Sequence, residues 1–315
     1  MRAPPVAAAL GGLALALAPC GCRALFGIQQ VPDQPDQDGA LTDGALIDAR
    51  GPIDSGLRCS ASAPFGAPVE LSSLSTPAGE HDPRLTADEL TIVYDVVDGS
   101  DGFDLYMAMR STTADPFGPG VALAALNTSA NDFWGSFGSD GVTLYFASNR
   151  AGDYQIFDAI RASPSSTAFG IPSPLGPEGD NQPYAIASDT ALYFASTERA
   201  GSDTKTHIYR AELSSCDYGD IGPIAGTDPT ADERAPAVTG DERTLYYCRF
   251  NSTDCDIWYA TRPDAQSDWS AGQALPGEAT VGVDEAPGWI SPDGCRLYIR
   301  QAGSDGVDHL YELAK

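Results

Sequence analysis

Residues 139–150 read SDGVTLYFASNR, a tight turn followed by alternating aliphatic and aromatic side chains. This pattern is typical of a hairpin that leads into a β-strand, because Asp and Gly supply the turn and the alternation matches the two faces of a sheet. The core of the pattern, TLYF at 143–146, has counterparts at intervals of 48 to 53 residues: TIVY at 91–94, ALYF at 191–194, TLYY at 244–247 and RLYI at 296–299. A period of this length with several strands per unit predicts a β-propeller.

Each unit continues in the same order after its core strand. A third strand carries an aromatic residue, and a fourth element opens with another: Phe117-Gly118, Phe169-Gly170, Tyr218-Gly219 and Trp269-Ser270. The last unit stops at Lys315 without this element, while a spare Phe65-Gly66 precedes the first unit. We therefore predict an all-β, five-bladed β-propeller whose N-terminal strand completes the last blade and removes two open sheet edges. A six-bladed ring with one degenerate blade is the alternative, but no residues are left over to build it.

The turn SPDG at 291–294, followed by Leu297-Tyr298, resembles the repeat of TolB-type propellers, a relative of the WD repeat. The second unit has the fuller form, and the resemblance extends from about Phe65 to Lys315. It implies a bacterial β-propeller of the cell envelope. TolB proteins are periplasmic, have six blades and carry an additional N-terminal domain. This chain has no room for that domain, so the partners of TolB are not expected here.

The first 22 residues are expected to be an export signal. Arg2 is followed by an apolar run from Val6 to Ala18, which is shorter than the roughly 20 residues of a membrane span and matches a signal peptide. The run ends in LAPCGC at 17–22, which resembles the lipobox of bacterial lipoproteins. Cys22 is the expected lipidation site and Cys20 the alternative. An ordinary secretory signal is the other interpretation, and with either one the mature protein is exported.

Residues 23–58 are predicted to be a disordered acidic tether, since the segment from Val31 to Gly56 has no aromatic residue and little bulky apolar surface. Residues 59–315 then form the propeller domain. The chain has 18 Lys and Arg residues against 44 Asp and Glu residues, a formal net charge of −26. This charge repels phosphate backbones, so we expect no nucleic-acid partner; it favours solubility and attracts cations or basic peptides.

The propeller region has an odd number of cysteines, and two pairs are candidates for disulfides. Cys248 and Cys255 flank a short loop on two strands of one predicted hairpin, where facing positions meet the required Cα spacing. Cys59 precedes the closing strand and Cys295 opens the core strand of the same blade, so a bond between them would join the ends of the ring. Cys216 would remain single. The alternative is that these cysteines are small buried hydrophobic residues.

The sequence has no recognisable catalytic motif of the serine-elbow, phosphate-loop or dinucleotide-binding type. The histidines His81, His207 and His309 are far apart and lack the spacing of zinc ligands, so we expect them to be exposed to solvent. We predict no metal and no cofactor. Calcium binding by the Asp/Gly-rich loops at 98–102 and 302–306 is the alternative to ordinary turn chemistry.

Acidic residues recur where the first strand of successive blades begins, so they can ring one mouth of the central channel: Glu80, Asp82, Asp132, Asp180, Glu233, Asp284 and Glu285. Because the acid recurs in nearly every blade, we favour a structural role in which its oxygens accept backbone N–H groups. The alternatives are a cation or ligand site, and a glycoside hydrolase that uses carboxylates from different blades. A catalytic site is expected to break the repeat.

These observations predict an exported, lipid-anchored, monomeric β-propeller of the periplasm or outer membrane that binds rather than catalyses. Its partner is expected to be a protein or small ligand at the cell envelope, and its only membrane contact the lipid anchor. The alternative function is a five-bladed glycoside hydrolase or a carbohydrate-binding propeller that uses the channel-mouth carboxylates. Propellers have many activities, so the fold by itself does not decide between them.

Overall fold

The computed structural model of the protein describes residues 59–60, 62–97, 102–152, 154–175, 181–188, 191–196, 205–212, 224, 228, 230–276 and 283–315. The predicted signal peptide and tether lie outside the described residues, as do Cys20, Cys22 and Cys216. Regular structure in the described part is entirely β-strand. No helix long and apolar enough to cross a membrane occurs in these ranges.

Strand β1 (Val69–Glu70) comes first in the chain. Sheet 1 and sheet 2 follow, each with four strands. Sheet 1 contains β2 (Glu80–Leu85), β3 (Thr91–Val97), β4 (Phe103–Met109) and β5 (Val121–Ala122). Sheet 2 contains β6 (Asp132–Phe137), β7 (Thr143–Ser148), β8 (Gln155–Ile160) and β9 (Ser173–Leu175).

Sheet 3 has three strands within the described residues: β10 (Asn181–Ser188), β11 (Ala191–Ser196) and β12 (His207–Glu212). Sheet 4 contains β13 (Asp232–Val238), β14 (Thr244–Phe250), β15 (Cys255–Thr261) and β16 (Gln273–Ala274). Sheet 5 contains β17 (Glu285–Ile290), β18 (Arg296–Ala302), β19 (Asp308–Ala314) and the N-terminal β1.

The sheets are antiparallel and are arranged around a common axis. The first strands, β2, β6, β10, β13 and β17, each lie beside the first strand of the next sheet, and β17 lies beside β2, so that they form a closed cycle. Each first strand also has a bulge near its beginning, where the register with the second strand shifts. Antiparallel sheets placed radially in this way make a β-propeller. The predicted fold class, an all-β propeller, is confirmed.

The hydrophobic core lies between neighbouring sheets. The aliphatic residues at the second position of the core strands are fully buried: Ile92, Leu144, Leu192, Leu245 and Leu297. One cluster packs Val93 and Leu105 of sheet 1 against Phe146 and Phe157 of sheet 2. The alternation that predicts the strands therefore also supplies the contacts that hold successive sheets together.

The ring is closed by the first and last strands of the chain. Strand β1 pairs antiparallel with β19, with Val69 opposite Glu312. The Gly66 N–H donates to the carbonyl of Ala314 at 2.7 Å. The spare N-terminal strand thus occupies the outer position of sheet 5, which is where the sequence predicts it.

A cation lies over the aromatic residue that opens the fourth element in sheets 1, 2, 4 and 5, where the structure describes that residue. Arg110 lies 4.4 Å from the centre of the Phe117 ring, and Arg262 lies 4.2 Å from that of Trp269. In sheet 5 the ammonium of Lys315 lies 4.3 Å from the Phe65 ring. This cation–π contact explains why the aromatic residue recurs. It also pairs an aromatic residue near the start of the domain with a cation at the end of the chain.

Both predicted disulfides are present. Cys59 and Cys295 are bonded with their Cα atoms 5.1 Å apart, and the bond links residues 236 positions apart in the chain. Cys248 and Cys255 are bonded with their Cα atoms 5.4 Å apart, across the β14–β15 hairpin. The first bond joins the two ends of the domain, and the second holds one hairpin.

Candidate functional site

Four of the predicted acids occupy the same position in their sheets and are almost completely buried: Glu80, Asp132, Glu233 and Glu285. The carboxylates of Glu80, Asp132 and Glu233 accept hydrogen bonds from the loop that precedes their first strand. Glu80 accepts from the Thr76 N–H at 2.7 Å, and Asp132 accepts from the Thr128 N–H at 2.6 Å. These contacts fit the structural interpretation, because each carboxylate fixes the backbone at the start of its blade.

Three of the buried acids also bind a basic side chain. Asp132 and Glu80 do so through their second oxygen, and Glu233 through Oε1, which also accepts the Asp228 N–H. Asp132 pairs with Arg150 at 2.5 Å and Glu233 with Arg249 at 2.7 Å, both within one sheet. Glu80 instead contacts Nδ1 of His309 at 2.9 Å, which links sheet 1 to sheet 5. Asp180 lies outside the described residues.

Asp82 and Asp284 differ from the other acids because they line a cavity. Asp82 is the bulge residue of β2 and has a left-handed φ of 49°. Asp284 immediately precedes β17, and its Oδ1 accepts a hydrogen bond from the Cys255 N–H at 3.0 Å. The cavity measures about 290 Å³ and lies at the end of the ring where the first strands begin. This volume is at the lower end of the range for small-molecule sites.

Aromatic rings from sheets 1, 2 and 4 form much of the cavity wall: Phe103, Phe133, Trp134 and Phe250. Phe103 and Phe133 stack across the boundary between sheets 1 and 2, with their ring centres 5.7 Å apart. His81 packs edge-on against Phe103 at 5.3 Å. Rings in such a wall offer flat apolar faces to a ligand.

The two arginines of the cavity are paired with carboxylates. Arg300 contacts Asp284 at 2.8 Å and Asp308 at 2.6 Å. Arg234 contacts Asp232 at 2.7 Å and lies over the Phe250 ring. The cavity is therefore nearly balanced in charge, although the chain as a whole is strongly acidic.

Burial and neighbouring charges act in opposite directions on the basic groups here. Burial lowers the pKa of His81 and outweighs the raising effect of Asp82 and Asp308. Burial also opposes protonation of Arg300, but Asp308 and Asp284 raise its pKa above the usual value. His81 is therefore neutral at pH 7, and Arg300 is a permanent cation that holds two carboxylates.

Several residues of the cavity region break the repeat. Asp95 on β3 and Arg300 on β18 occupy a position that is Ala147, Ala195 or Cys248 in the other sheets. Arg84 on β2 corresponds to Ser136, Ala237 and Trp289. The sequence prediction concentrated on the acids that recur and missed these exceptions, although superposing the five units in the sequence would have revealed them.

Arg84 is buried at the centre of the ring, with 1% of its surface exposed. Its Nη1 donates hydrogen bonds to the carbonyls of Pro236 on β13 and Gly288 on β17. A side chain from sheet 1 therefore reaches sheets 4 and 5 across the axis. The guanidinium therefore bridges first strands of three different sheets.

The expectation that the histidines are exposed is wrong. His207 and His309 are 3% and 8% exposed, and the side chain of His81 is 19% exposed. For His207 and His309 the reason is that the start of the third strand lies between neighbouring sheets rather than on the surface. His81 is on β2, where it packs against Phe103. Among the residues that the structure describes, no group of three or more His, Cys, Asp or Glu side chains has the arrangement of a metal site.

The fold and the cavity define a class, a β-propeller with a ligand-sized pocket at one end of its ring. No protein-family model matches the chain, and no curated protein matches it. A GH43_1 enzyme from Xanthomonas citri superposes with a TM-score of 0.54 and 13% identity, over 78% of this chain and 90% of that one. At this identity the likeness shows the fold alone.

Two further solved structures are similar in the same way. TolB from Acinetobacter baumannii has a TM-score of 0.48 and 17% identity over 77% of this chain. The match spans 56% of the length of that TolB chain. The catalytic domain of a GH62 α-L-arabinofuranosidase from Coprinopsis cinerea has a TM-score of 0.46 and 11% identity, over 80% of this chain and 96% of that one. TolB-type propellers are thus among the structural neighbours, as the repeat motif suggests.

Proposed function

We propose that this protein is an exported, lipid-anchored propeller that binds a ligand in the cavity at one end of its ring. The observation that carries the proposal is that side chains which break the repeat converge on this cavity. Asp82 of sheet 1 and Arg300 of sheet 5 line it, and Asp95 of sheet 1 is bonded to the wall residue Trp134, whereas the acids that recur are occupied in holding backbone. Structural groups are expected to repeat in a propeller, whereas groups selected for a ligand are not.

We propose that the ring has five blades. The closed cycle of five first strands and the pairing of β1 with β19 support this count. Sheet 3 has three strands in the described residues, and its fourth would come from the segment around Tyr218-Gly219, which lies outside them. An experimental structure with a sixth sheet between any two of these would overturn the count.

The chemistry of the cavity favours an uncharged ligand with an apolar face and hydroxyl groups at its edges. Phe133 and Trp134 offer the apolar contact. Arg300 and Asp284 are already paired, so they can hydrogen-bond to a neutral group without leaving a charge uncompensated. A sugar unit, free or on an envelope glycan, has these properties. A protein partner would need to present a similar group to the cavity.

Glycan-array binding of the purified protein tests this proposal, together with crosslinking pull-down from membranes. We expect Trp134→Ala to weaken binding of any array ligand at least about tenfold, in line with loss of a buried aromatic contact. Ile171→Ala is the matched control, since Ile171 is 93% exposed and is not part of the cavity wall. Equal binding by the two variants would show that the ligand lies elsewhere.

A glycoside hydrolase is the second candidate function. Its support is that two carboxylates from different sheets, Asp82 and Asp284, line one cavity, since glycosidases flank the scissile bond with a carboxyl pair. Asp284 is already bound to Arg300 and to the Cys255 N–H, which favours binding over catalysis. Hydrolysis of a panel of aryl glycosides that is lost in Asp82→Asn and retained in Asp115→Asn would favour the enzyme.

Export and anchoring are tested separately. Both disulfides fit an oxidising compartment such as the periplasm. We expect radiolabelled palmitate to be incorporated into the wild-type protein and the Cys20→Ser variant, and not into Cys22→Ser. We also expect the released domain to be monomeric and to show no affinity for nucleic acid.

A further inference from the structure

Asp95 lies directly behind the wall of the cavity. It is in the middle of β3, opposite His81 on β2 and Leu105 on β4, and none of its surface is exposed. Its Oδ2 accepts the backbone N–H of Trp134 at 2.9 Å. The side chain is therefore attached to a residue of the cavity wall.

The other oxygen of Asp95, Oδ1, accepts no hydrogen bond from any N–H or O–H donor in the described part of the chain. Buried polar atoms nearly always have a partner, so an exception needs a physical explanation. The charged groups that act on Asp95 both come from β2: Asp82, which lines the cavity, and Arg84, which donates to carbonyls across the axis. From β6 it receives the Trp134 N–H, and on β4 it lies opposite Leu105.

We propose that Asp82 and Asp95 hold one proton between them, and that this singly charged pair is the polar anchor for a hydroxyl group of the ligand. Asp95 carries the proton and donates it as a hydrogen bond towards Asp82. Asp82 faces the cavity and accepts the ligand's hydroxyl. The proposal rests on the proposed function, because it assumes that the cavity binds a ligand.

The physical reason is that two carboxylates cannot both be ionised at low cost in a buried setting. Burial raises the pKa of Asp95 well above its usual range, and the charge of Asp82 raises it further. The Trp134 N–H and Arg84 act in the opposite direction and do not cancel these effects. A carboxyl group whose pKa is raised by burial beside a second acid is characteristic of functional sites.

The repeat supports a role beyond folding. The position of Asp95 is an alanine or cysteine in sheets 2, 3 and 4, so the propeller does not need a carboxyl group there. The position of Asp82 is likewise Trp134, Ala235 or Pro287 in other sheets. Both exceptions fall in sheet 1, one in the wall of the cavity and the other bonded to a wall residue.

Infrared difference spectroscopy of the full chain tests the pair without any ligand. We expect the wild type at pH 7 to show the carbonyl band of a protonated carboxylic acid, and Asp95→Asn to lack it. Asp115→Asn, a change at an exposed carboxylate, should keep the band. Asp82→Asn should shift the loss of the band to lower pH. Absence of the band in the wild type, or its persistence in Asp95→Asn, would overturn the proposal that the two acids share one proton.

The role as an anchor is tested with a sugar that the glycan array identifies. We expect Asp82→Asn to weaken its binding about tenfold or more at pH 7, as for loss of a hydrogen bond to a charged group. Asp95→Asn should bind within about twofold of the wild type, since the amide imitates the neutral acid. Undiminished binding by Asp82→Asn would overturn the anchor. If no sugar binds, the proposed function fails, while the infrared result still shows whether Asp95 holds the proton.

Discussion

At the scale of single residues, the contact between Glu80 and His309 joins sheet 1 to sheet 5. The two side chains are 2.9 Å apart and both are buried. Burial opposes protonation of the imidazole, but hydrogen bonds to Glu80 and Asp305 outweigh it and raise the pKa of His309. His81, on the same strand as Glu80, has its pKa lowered instead. Two histidines in one region therefore respond to pH in opposite directions.

We predict that His309→Gln destabilises the protein more at pH 5.5 than at pH 8.5. A raised pKa in the folded state contributes stability that is fully present below about 6.5 and is lost as pH rises through the folded pKa. His81→Gln should show the opposite sign, because a lowered pKa contributes stability that is lost as pH falls. Urea unfolding of both variants at the two pH values measures this. Parallel pH dependence of the two would contradict the assignment.

We expect the loss of Arg84 to lower the stability of the whole ring, because its side chain links three sheets. Replacing it by Met leaves the carbonyls of Pro236 and Gly288 without their donor, at a cost of about 2 to 3 kcal/mol in unfolding free energy. Arg243→Met, at an exposed position, should cost less than about 0.5 kcal/mol. Chemical denaturation compares the two. A neutral effect of Arg84→Met would show that water replaces the guanidinium.

At the scale of elements, the same cation–π contact recurs in different sheets. In sheet 1, Arg110 and Phe117 are both internal to the unit. In sheet 5 the same contact is made by Lys315 and Phe65, which lie at opposite ends of the domain. The element is the same, but in sheet 5 it also joins the two ends of the domain.

We expect Phe65→Ala and Phe117→Ala to destabilise the protein by similar amounts, about 3 to 4 kcal/mol, because each empties a buried ring site. Only Phe65→Ala should release β1 from β19. Hydrogen exchange at the amides of Gly66 and Leu71, which bond to sheet 5, would then be accelerated in that variant alone. Equal exchange in both variants would argue that closure does not depend on Phe65.

The strands, their order and the closing strand could be predicted because each depends on short patterns that recur. The disulfide partners followed from the same register. The cavity could not be predicted in this way, because its wall combines Asp82, Phe250 and Arg300 from sheets that are distant in sequence. The burial of Glu80 and His309 also depends on how neighbouring sheets pack, which a pattern within one unit does not report.

At the scale of the whole molecule, the two disulfides constrain very different lengths of chain. Cys59 and Cys295 are separated by 236 residues and Cys248 and Cys255 by 7. In the chain-entropy model the first bond contributes about 5 kcal/mol and the second about 2 kcal/mol.

We therefore predict a larger drop in melting temperature for the double variant Cys59→Ser/Cys295→Ser than for Cys248→Ser/Cys255→Ser. Calorimetry of both, with and without reductant, checks the order. After reduction the wild type should melt below either variant. The reverse order would show that the Cys248–Cys255 bond contributes more to stability than the Cys59–Cys295 bond that closes the ring.

The bond between Cys59 and Cys295 also determines how the domain carries a mechanical load. Cys59 precedes β1, so tension applied through the residues before it passes directly into the turn that opens β18. The load therefore does not break the hydrogen bonds between β1 and β19 one after another. A domain held by its N-terminal side in a moving envelope would keep its ring closed for as long as this single covalent link remains oxidised.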